Sequence, residues 1–330
     1  MTRLLAPTTN PVVIATHNGS FHADDVFGVA VLQMLFPNNT VIRTRDQAKI
    51  VAANFAVDVG GVWDAELGRF DHHQKGFVGA RDNGVVYASA GLVWAAYGEH
   101  CLRLGIHRRH ISESDIQRVT REIDEELVQH LDRADTGVSM GAPGLFGLSA
   151  LLSQFNPTWL EESCLSVDER EALKLARFNQ AVEFTESLLS RIIADKVSEA
   201  AAANLILNSR RPFDGRVLLL GGSGMPWHRV VIDEMPEVLF VVYPDSSDTQ
   251  YQVRTVPVEH ETFVARADLP YAWAGLRDAE LAKVTGVADA AFCHNGCFIA
   301  GAYSLDGALR LAELALLALA DESLQVKPVN

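Results

Sequence analysis

The chain has 330 residues, 48% hydrophobic and 21% charged, which excludes a disordered, collagen-like or low-complexity protein and favours two domains over one. Its 28 Lys+Arg stand against 42 Asp+Glu, a net charge of −14 that excludes a protein coating nucleic acid by bulk attraction. Four cysteines in so long a chain make no disulfide framework. Met1 to Thr16 lacks the apolar core and cleavage site of a secretory signal. The apolar stretches are too short or too interrupted by charge to span a bilayer, so no membrane partner is expected and cytoplasm is the expected compartment.

Val12–Thr16 reads as a fully buried strand and Asp24–Phe36 as a helix stopped by Pro37. Strands at Val41–Thr44 and Ala52–Val59 follow, with a helical turn between them. This is the alternation of a parallel α/β sheet, whose ligands sit beyond the carboxyl ends of the strands. Past Asp71 the pattern turns helical, over Val85–His100 and Asp115–Leu131, with a break at Asp135-Thr136-Gly137. Ser166-x-x-Glu169 is a capping box opening a long helix that reaches about Ala203. Strand signals resume at Arg216–Leu220 and continue at Val238–Val242, Gln250–Val256 and Phe298–Ala302, before a closing helix over Asp306–Ala320. The expected organisation is an α/β domain over 1–165, a connecting helix over 166–204 and a smaller α/β domain over 205–330.

Four short clusters gather the chemistry: His17-x4-His22-x-Asp24-Asp25, Val57-Asp58-Val59-Gly60, Asp71-His72-His73 and Asp132-Arg133-Ala134-Asp135-Thr136-Gly137. Apolar neighbours such as Ile14, Val57, Val59 and Phe70 set these acids against a core. An unpaired carboxylate is costly there, and a divalent cation is the simplest compensation. Donors that mix Asp and His without thiolate favour Mn²⁺ or Mg²⁺, with Zn²⁺ as a further alternative. Carboxylates from several segments suggest two ions, an arrangement that activates water for phosphoester hydrolysis. Taken singly, each residue has a plainer role: Asp58 as a turn former or cap, His17 as a hydrogen-bonded loop residue, His72–His73 as a solvent-facing turn, Asp132 as a partner of Arg133.

Together the clusters carry a resemblance. Asp71-His72-His73 resembles the signature triplet of the DHH phosphoesterase superfamily, and Asp58 and Asp135-Thr136-Gly137 resemble its second and fourth motifs. Within that superfamily the chain is similar to the melanocyte-proliferating-gene family over nearly its whole length. The likeness runs through Thr16-His17-Asn18-Gly19, Arg43-Thr44-Arg45-Asp46, Val57-Asp58-Val59-Gly60-Gly61 and Asp71-His72-His73-Gln74. It continues in Asn156-Pro157-Thr158-Trp159, Leu269-Pro270, Trp273-x-Gly275-Leu276-Arg277 and Phe292-Cys293-His294-Asn295-Gly296.

The resemblance implies a DHH-type parallel-sheet phosphoesterase domain and a smaller α/β substrate-binding domain across a cleft, joined by the long helix. It implies a metal-dependent hydrolase using metal-activated water, and in eukaryotic members the family is associated with 3′-to-5′ RNA exonuclease activity. The expected substrate is therefore the 3′ end of RNA or a short oligonucleotide, with two divalent ions, Mn²⁺ foremost, as cofactors. Carried over residue by residue, His17 ligates one metal and Asp24 the other, Asp58 bridges them, and His72 and Asp135 complete the second site. His73 lies near the scissile phosphate, and Asp71 joins it as a catalytic candidate. The first motif departs from the commoner His-x3-Asp-x-Asp, so either His22 stands in for a carboxylate as a metal ligand or Asp25 completes the first site. His294-Asn295-Gly296 stands where related second domains hold substrate, with Arg254 and Arg266 as candidate cations for a phosphate.

The remaining features read more simply. Gly221-Gly222-Ser223-Gly224 is a turn without the lysine of a phosphate-binding loop, and Cys293-x3-Cys297 lacks a second thiolate pair. His107-Arg108-Arg109-His110 reads as a solvated loop, and Trp159, Trp227 and Trp273 are expected in the core. Two rival functions stay open: a phosphatase for a small molecule such as pyrophosphate, and a non-catalytic, metal-stabilised RNA-binding protein. A homodimer is compatible with the sequence.

Overall fold

The computed structural model describes residues 11–105, 111–138 and 147–320, so the cluster His107-Arg108-Arg109-His110 lies outside it. The chain divides into two compact units, 1–197 and 198–330. No helix among the described residues is long and apolar enough to cross a membrane.

The first unit is built on three apolar runs, β1 (Val12–Thr16), β2 (Asn39–Arg43) and β3 (Phe55–Val57), linked by the helices α1 (Ala23–Leu35) and α2 (Gln47–Ala52). Helical crossovers of this kind bring consecutive strands together in parallel, and β1 pairs in parallel with both β2 and β3. A short hairpin then adds β4 (Trp63–Asp64) and β5 (Arg69–Phe70), the latter parallel to β3 and the former antiparallel at the edge. The sheet order is β2-β1-β3-β5-β4. His17, Arg45, Asp58 and Asp71 thus follow parallel strands at one shared carboxyl end. Every residue of α1 from Ala23 to Leu32 is buried. Gly28 is needed for that close approach, since a Cβ there would lie 2.8 Å from Val57 Cγ1.

The helical stretch differs from its expected limits. The third helix, α3, spans Ser89–Gly105 and starts four residues after Val85, because 80–86 forms a turn closed by the Ala80–Val86 bridge. The predicted single helix over Asp115–Leu131 is three pieces: α4 (Glu113–Ile123), a π-helical turn over Asp124–Val128, and α5 (Gln129–Asp135). Arg81 holds these pieces. It donates to Asp124 at 2.6 and 2.5 Å and to Asp132 at 2.7 Å, while Gly91 N of α3 donates to Asp132 at 2.9 Å. Asp132 therefore pairs with Arg81, not with Arg133. Burial outweighs that cation and pushes the Asp132 carboxyl up to about 6.

Two short helices follow, α6 (Leu148–Ser153) and α7 (Trp159–Glu162), and then α8 (Val167–Leu207), within which the boundary between the units falls. Its predicted capping box is formed: Glu169 Oε2 accepts from Ser166 N at 2.8 Å and Ser166 Oγ accepts from Glu169 N at 3.3 Å. Trp159 is 81% exposed and not in the core, because α7 has no buried residue. Trp227 and Trp273 are buried as expected.

The second unit is a mixed sheet. Its strands are β6 (Val217–Leu219), β7 (Phe240–Pro244), β8 (Tyr251–Thr255), β9 (Ala290–Cys293) and β10 (Ile299–Ala302), in the order β6-β7-β8-β10-β9. Only β6 and β7 pair in parallel. One core, including Phe240, Val242 and Val253, takes in α10 (Asp278–Thr285) and α11 (Leu305–Ala320), while Leu218 and Val241 belong to a second core with Val231 of α9 (His228–Glu234). The sequence pattern did not disclose α9, α10 or β9, which are only 7, 8 and 4 residues long.

Removing one member of a buried ion pair strands its partner, so Arg81→Met should cost the first unit about 3–5 kcal/mol. Chemical denaturation that finds less than about 1 kcal/mol, the worth of a surface pair, would remove Arg81 from its structural role.

Candidate metal centre

Each side chain of the site is delivered by a strand end or a helix end. His17 leaves β1 and is buried, and its Nδ1 lies 3.0 Å from the Asn18 carbonyl, which can only accept. The proton is thereby fixed on Nδ1, and Nε2 of the neutral ring is left as a donor for a metal. Asp24 and Asp25 ride in on the first turn of α1 with opposite fates. Asp25 Oδ1 accepts from His22 N and Val26 N, both at 2.9 Å, so it caps the helix. Asp24 is fully buried, and neither of its carboxylate oxygens has a hydrogen bond.

Asp58 ends β3 in a left-handed conformation, φ 55°, which few residues other than glycine and the short polar ones adopt. Its Oδ2 lies 3.3 Å from His17 Nε2, and its Oδ1 lies 3.4 Å from His72 Nε2 and 3.2 Å from His73 Nδ1. His72 Nε2 is also 3.2 Å from Asp135 Oδ2 and 4.0 Å from Asp24 Oδ2. Asp135, the last residue of α5, reaches the site because Arg81 anchors that helix through Asp132. His22 is largely exposed, with Nδ1 3.9 Å from Asp135 Oδ1 and its ring 5.8 Å from that of His17.

Three overlapping sets bring their donor atoms within metal-binding range of one another: His17, His22 and Asp58; Asp58, His72 and His73; His22, Asp24 and Asp135. His22 shares a donor set with His17 and Asp58, and Asp25, whose Oδ1 serves the cap, keeps its Oδ2 3.3 Å from His17 Nε2, so both alternatives for the first site stand beside His17. The residues fit divalent cations on independent grounds. Buried polar atoms are normally hydrogen-bonded, yet His17 Nε2, His72 Nε2 and both Asp24 oxygens are buried with none. The donors are all N and O, the chemistry of Mn²⁺, Mg²⁺ or Zn²⁺.

Asp71 is placed differently. Its carboxylate accepts from Gly61 N at 2.5 Å, His73 N at 3.0 Å and His73 Nδ1 at 2.9 Å. It joins the loops after β3 and β5 and aims His73, so it is a positioning residue. Ser89, which sequence reasoning missed, donates from Oγ to Asp58 Oδ1 at 3.2 Å. The run Ala88-Ser89-Ala90-Gly91 was the available signal, because small residues at a helix start admit close approach.

In the second unit the exposed loop His294-Asn295-Gly296 follows β9, and His294 Nδ1 accepts from Gly296 N at 3.0 Å. His294 and Arg254 flank one ring, Phe298, at 4.4 and 6.0 Å. Arg266 is not with them. Its guanidinium donates to the carbonyls of Val231, Ile232, Met235 and Val238 and so closes the end of α9.

The electrostatics follow from crowding. Burial and then the negative charges of Asp58, Asp135 and Asp25 raise the Asp24 carboxyl well above the usual range. Burial alone would lower the His17 and His72 imidazoliums, but their carboxylate neighbours outweigh it and push each up to about 10. Burial would raise Asp58, and the three histidines around it hold it below the usual carboxylate range instead.

Residues 13–316 match a family profile described as an uncharacterised protein family, UPF0160, and labelled as MYG1 exonuclease. The chain is 32% identical to a MYG1 protein of Caenorhabditis elegans over 92% of its own length and 95% of the relative's. It is 31% identical to the MYG1 exonuclease of Rattus norvegicus, over 93% and 85% of the two chains. The MYG1 exonuclease of Homo sapiens is 29% identical, over 95% and 87%.

Below about pH 10 the metal-free site holds His17 and His72 charged, whereas ligation requires neutral rings. Mn²⁺ uptake should therefore release protons, and apparent affinity should fall as pH drops from about 8 toward about 6. Calorimetry in buffers of different ionisation enthalpy measures this directly, and uptake without proton release would contradict the charge states given above.

Proposed function

This chain belongs to the MYG1 exonuclease family, UPF0160, and on that premise we propose that it is a nuclease-type hydrolase of the DHH kind. It acts 3′ to 5′ on RNA or short oligonucleotides with two divalent cations. The observation that carries the reading is Asp58, held between His17 and His72 with the unbonded Asp24 beside His72. Its two oxygens face different imidazoles, which suits one carboxylate shared by two cations. His17, His22 and Asp58 would hold one ion, and Asp24, Asp58, His72 and Asp135 the other.

When bound, Mn²⁺, Mg²⁺ or Zn²⁺ would polarise a phosphoryl oxygen and acidify water at the site. The chain's own residues do the rest. His73 has an exposed ring whose Nδ1 is tied to Asp71 at 2.9 Å, leaving Nε2 for substrate. Asp58 and Asp71 together push its imidazolium up to about 9 against the opposing effect of burial, so it is charged at neutral pH. An imidazolium there can hydrogen-bond a phosphate oxygen and protonate a leaving alkoxide. Ser89 keeps Asp58 from rotating, and Asp71 keeps His73 in place. In the second unit, the exposed side chains of His294 and Asn295, with the half-buried Arg254 across Phe298 from His294, suit a substrate phosphate, and the Gly296 N–H, taken by His294 Nδ1, fixes the loop that presents them.

The name borne by the mammalian relatives supports the reaction class. The RNA substrate and the 3′ end come from the family resemblance of the motifs. Purified protein supplied with Mn²⁺, Mg²⁺ or Zn²⁺ should shorten end-labelled RNA stepwise from its 3′ end. Asp58→Asn should abolish turnover, and Asp71→Asn should lower it about 10–100-fold, the usual effect of losing a residue that orients the site. Turnover of pyrophosphate alone would replace this reading with the small-molecule phosphatase, and no turnover of RNA, DNA or pyrophosphate would end the hydrolase reading.

A further inference from the structure

Two arginines, Arg43 and Arg45, lie at the carboxyl end of β2 and are used in opposite ways. Arg43 is enclosed: its guanidinium lies over Phe21 and Phe178 at 5.3 and 4.9 Å and donates to the Gly19 carbonyl at 2.9 Å. It braces the loop that carries His17 and His22. Arg45 is exposed, and among the described residues it has no hydrogen-bond or ion-pair partner. The turn presenting it is nonetheless fixed, since Thr44 N donates to Thr16 O at 2.7 Å and Asp46 caps α2 through Ala48 N at 2.9 Å.

Arg45 lines a cavity of 610 Å³ together with His17, His22, Asp58, His73 and Asp135, and it is the one Arg or Lys among the described lining residues. A guanidinium beside so many carboxylates would ordinarily pair with one of them. None lies within 4.0 Å of it, so Arg45 is not the cluster's internal counterion. Strand order explains the separation: β2 is the edge strand, one spacing of about 4.8 Å outside β1, whereas Asp58 and Asp71 follow strands further in. The acidic pole of the cavity suits cations and the phosphate being cut. The cationic edge suits a second anion beside it.

We propose that Arg45 binds the phosphate next to the scissile one, which makes the cavity a site for a chain of consecutive phosphodiesters and not for an isolated phosphate. This deepens the exonuclease reading and rests on it for the position of the scissile bond. It does not depend on turnover for its test.

The experiment measures binding by fluorescence anisotropy, with Ca²⁺-loaded wild type, Arg45→Ala and Arg45→Lys. The probes are a labelled, cleavage-resistant phosphorothioate RNA hexamer and, as competitor, AMP, which has one phosphate. Arg45→Ala should weaken hexamer binding about tenfold to a hundredfold, the worth of a hydrogen bond to a charged group, and weaken AMP binding much less. The slope of log affinity against log salt should flatten by about 0.7, the value of one single-strand phosphate contact. Arg45→Lys should recover part of the loss, since it keeps the charge without the fork. Equal losses for hexamer and AMP, or an unchanged salt slope, would overturn the assignment. Because Arg45 is exposed and unpartnered, loss through misfolding is separated by comparing melting temperatures. Wild type that binds the hexamer through Arg45 yet cleaves nothing would keep Arg45 as a contact to a chain of phosphodiesters while ending the exonuclease reading and, with it, the placement beside a scissile bond.

Discussion

Asp24 sits in the first turn of a buried helix, out of reach of solvent and of any hydrogen bond, with Asp25, Asp58 and Asp135 close enough to oppose its charge. A carboxylate in that position costs several kcal/mol as an order of magnitude unless something cationic meets it. The His72 imidazole, 4.0 Å away, is engaged by Asp135 and Asp58, which outweigh burial and raise its pKa. The rest of the carboxyl end of the first sheet follows from this constraint. Bound cations would resolve it, and would let an anion approach a site that is otherwise repulsive to it.

Several fixed contacts keep the acids from relieving the strain by moving apart. Asp25 secures the start of α1, so Asp24 cannot rotate out without undoing the cap. The left-handed backbone at Asp58 turns its carboxylate back over the strand end, and Ser89 holds it there. Asp71 ties the loops after β3 and β5, and Arg81 anchors α5, which carries Asp135. Such a site is preorganised at the expense of stability, and its carboxylates converge from segments far apart in the chain.

The motif residues were legible because metal chemistry restricts the donor types and the strand periodicity places them at strand ends. The first helix, the capping box at Ser166 and the closing helix were legible for the same local reasons. Helix starts were less so: α3 begins at Ser89 because a bridge between Ala80 and Val86 closes a turn, a contact invisible to apolar spacing. Trp159 shows the reverse error, an aromatic residue assigned to a core that its short helix does not enter.

The sequence by itself determined the donor set of histidines and aspartates, the parallel pairing among β1, β2 and β3 and the acidic excess that keeps any phosphate binding local. Only the tertiary structure decided how residues of the same type divide their roles. Asp24 is left without a hydrogen bond, while Asp25 caps the helix with one oxygen and faces His17 with the other. Arg43 and Arg266 close the fold, while Arg45 is exposed and Arg254 lies half-buried over the Phe298 ring. The physical reason is that a side chain's role depends on which carbonyls, carboxylates and rings stand within hydrogen-bonding reach. Apart from local caps such as that of Asp25, those neighbours come from distant segments that the fold brings together.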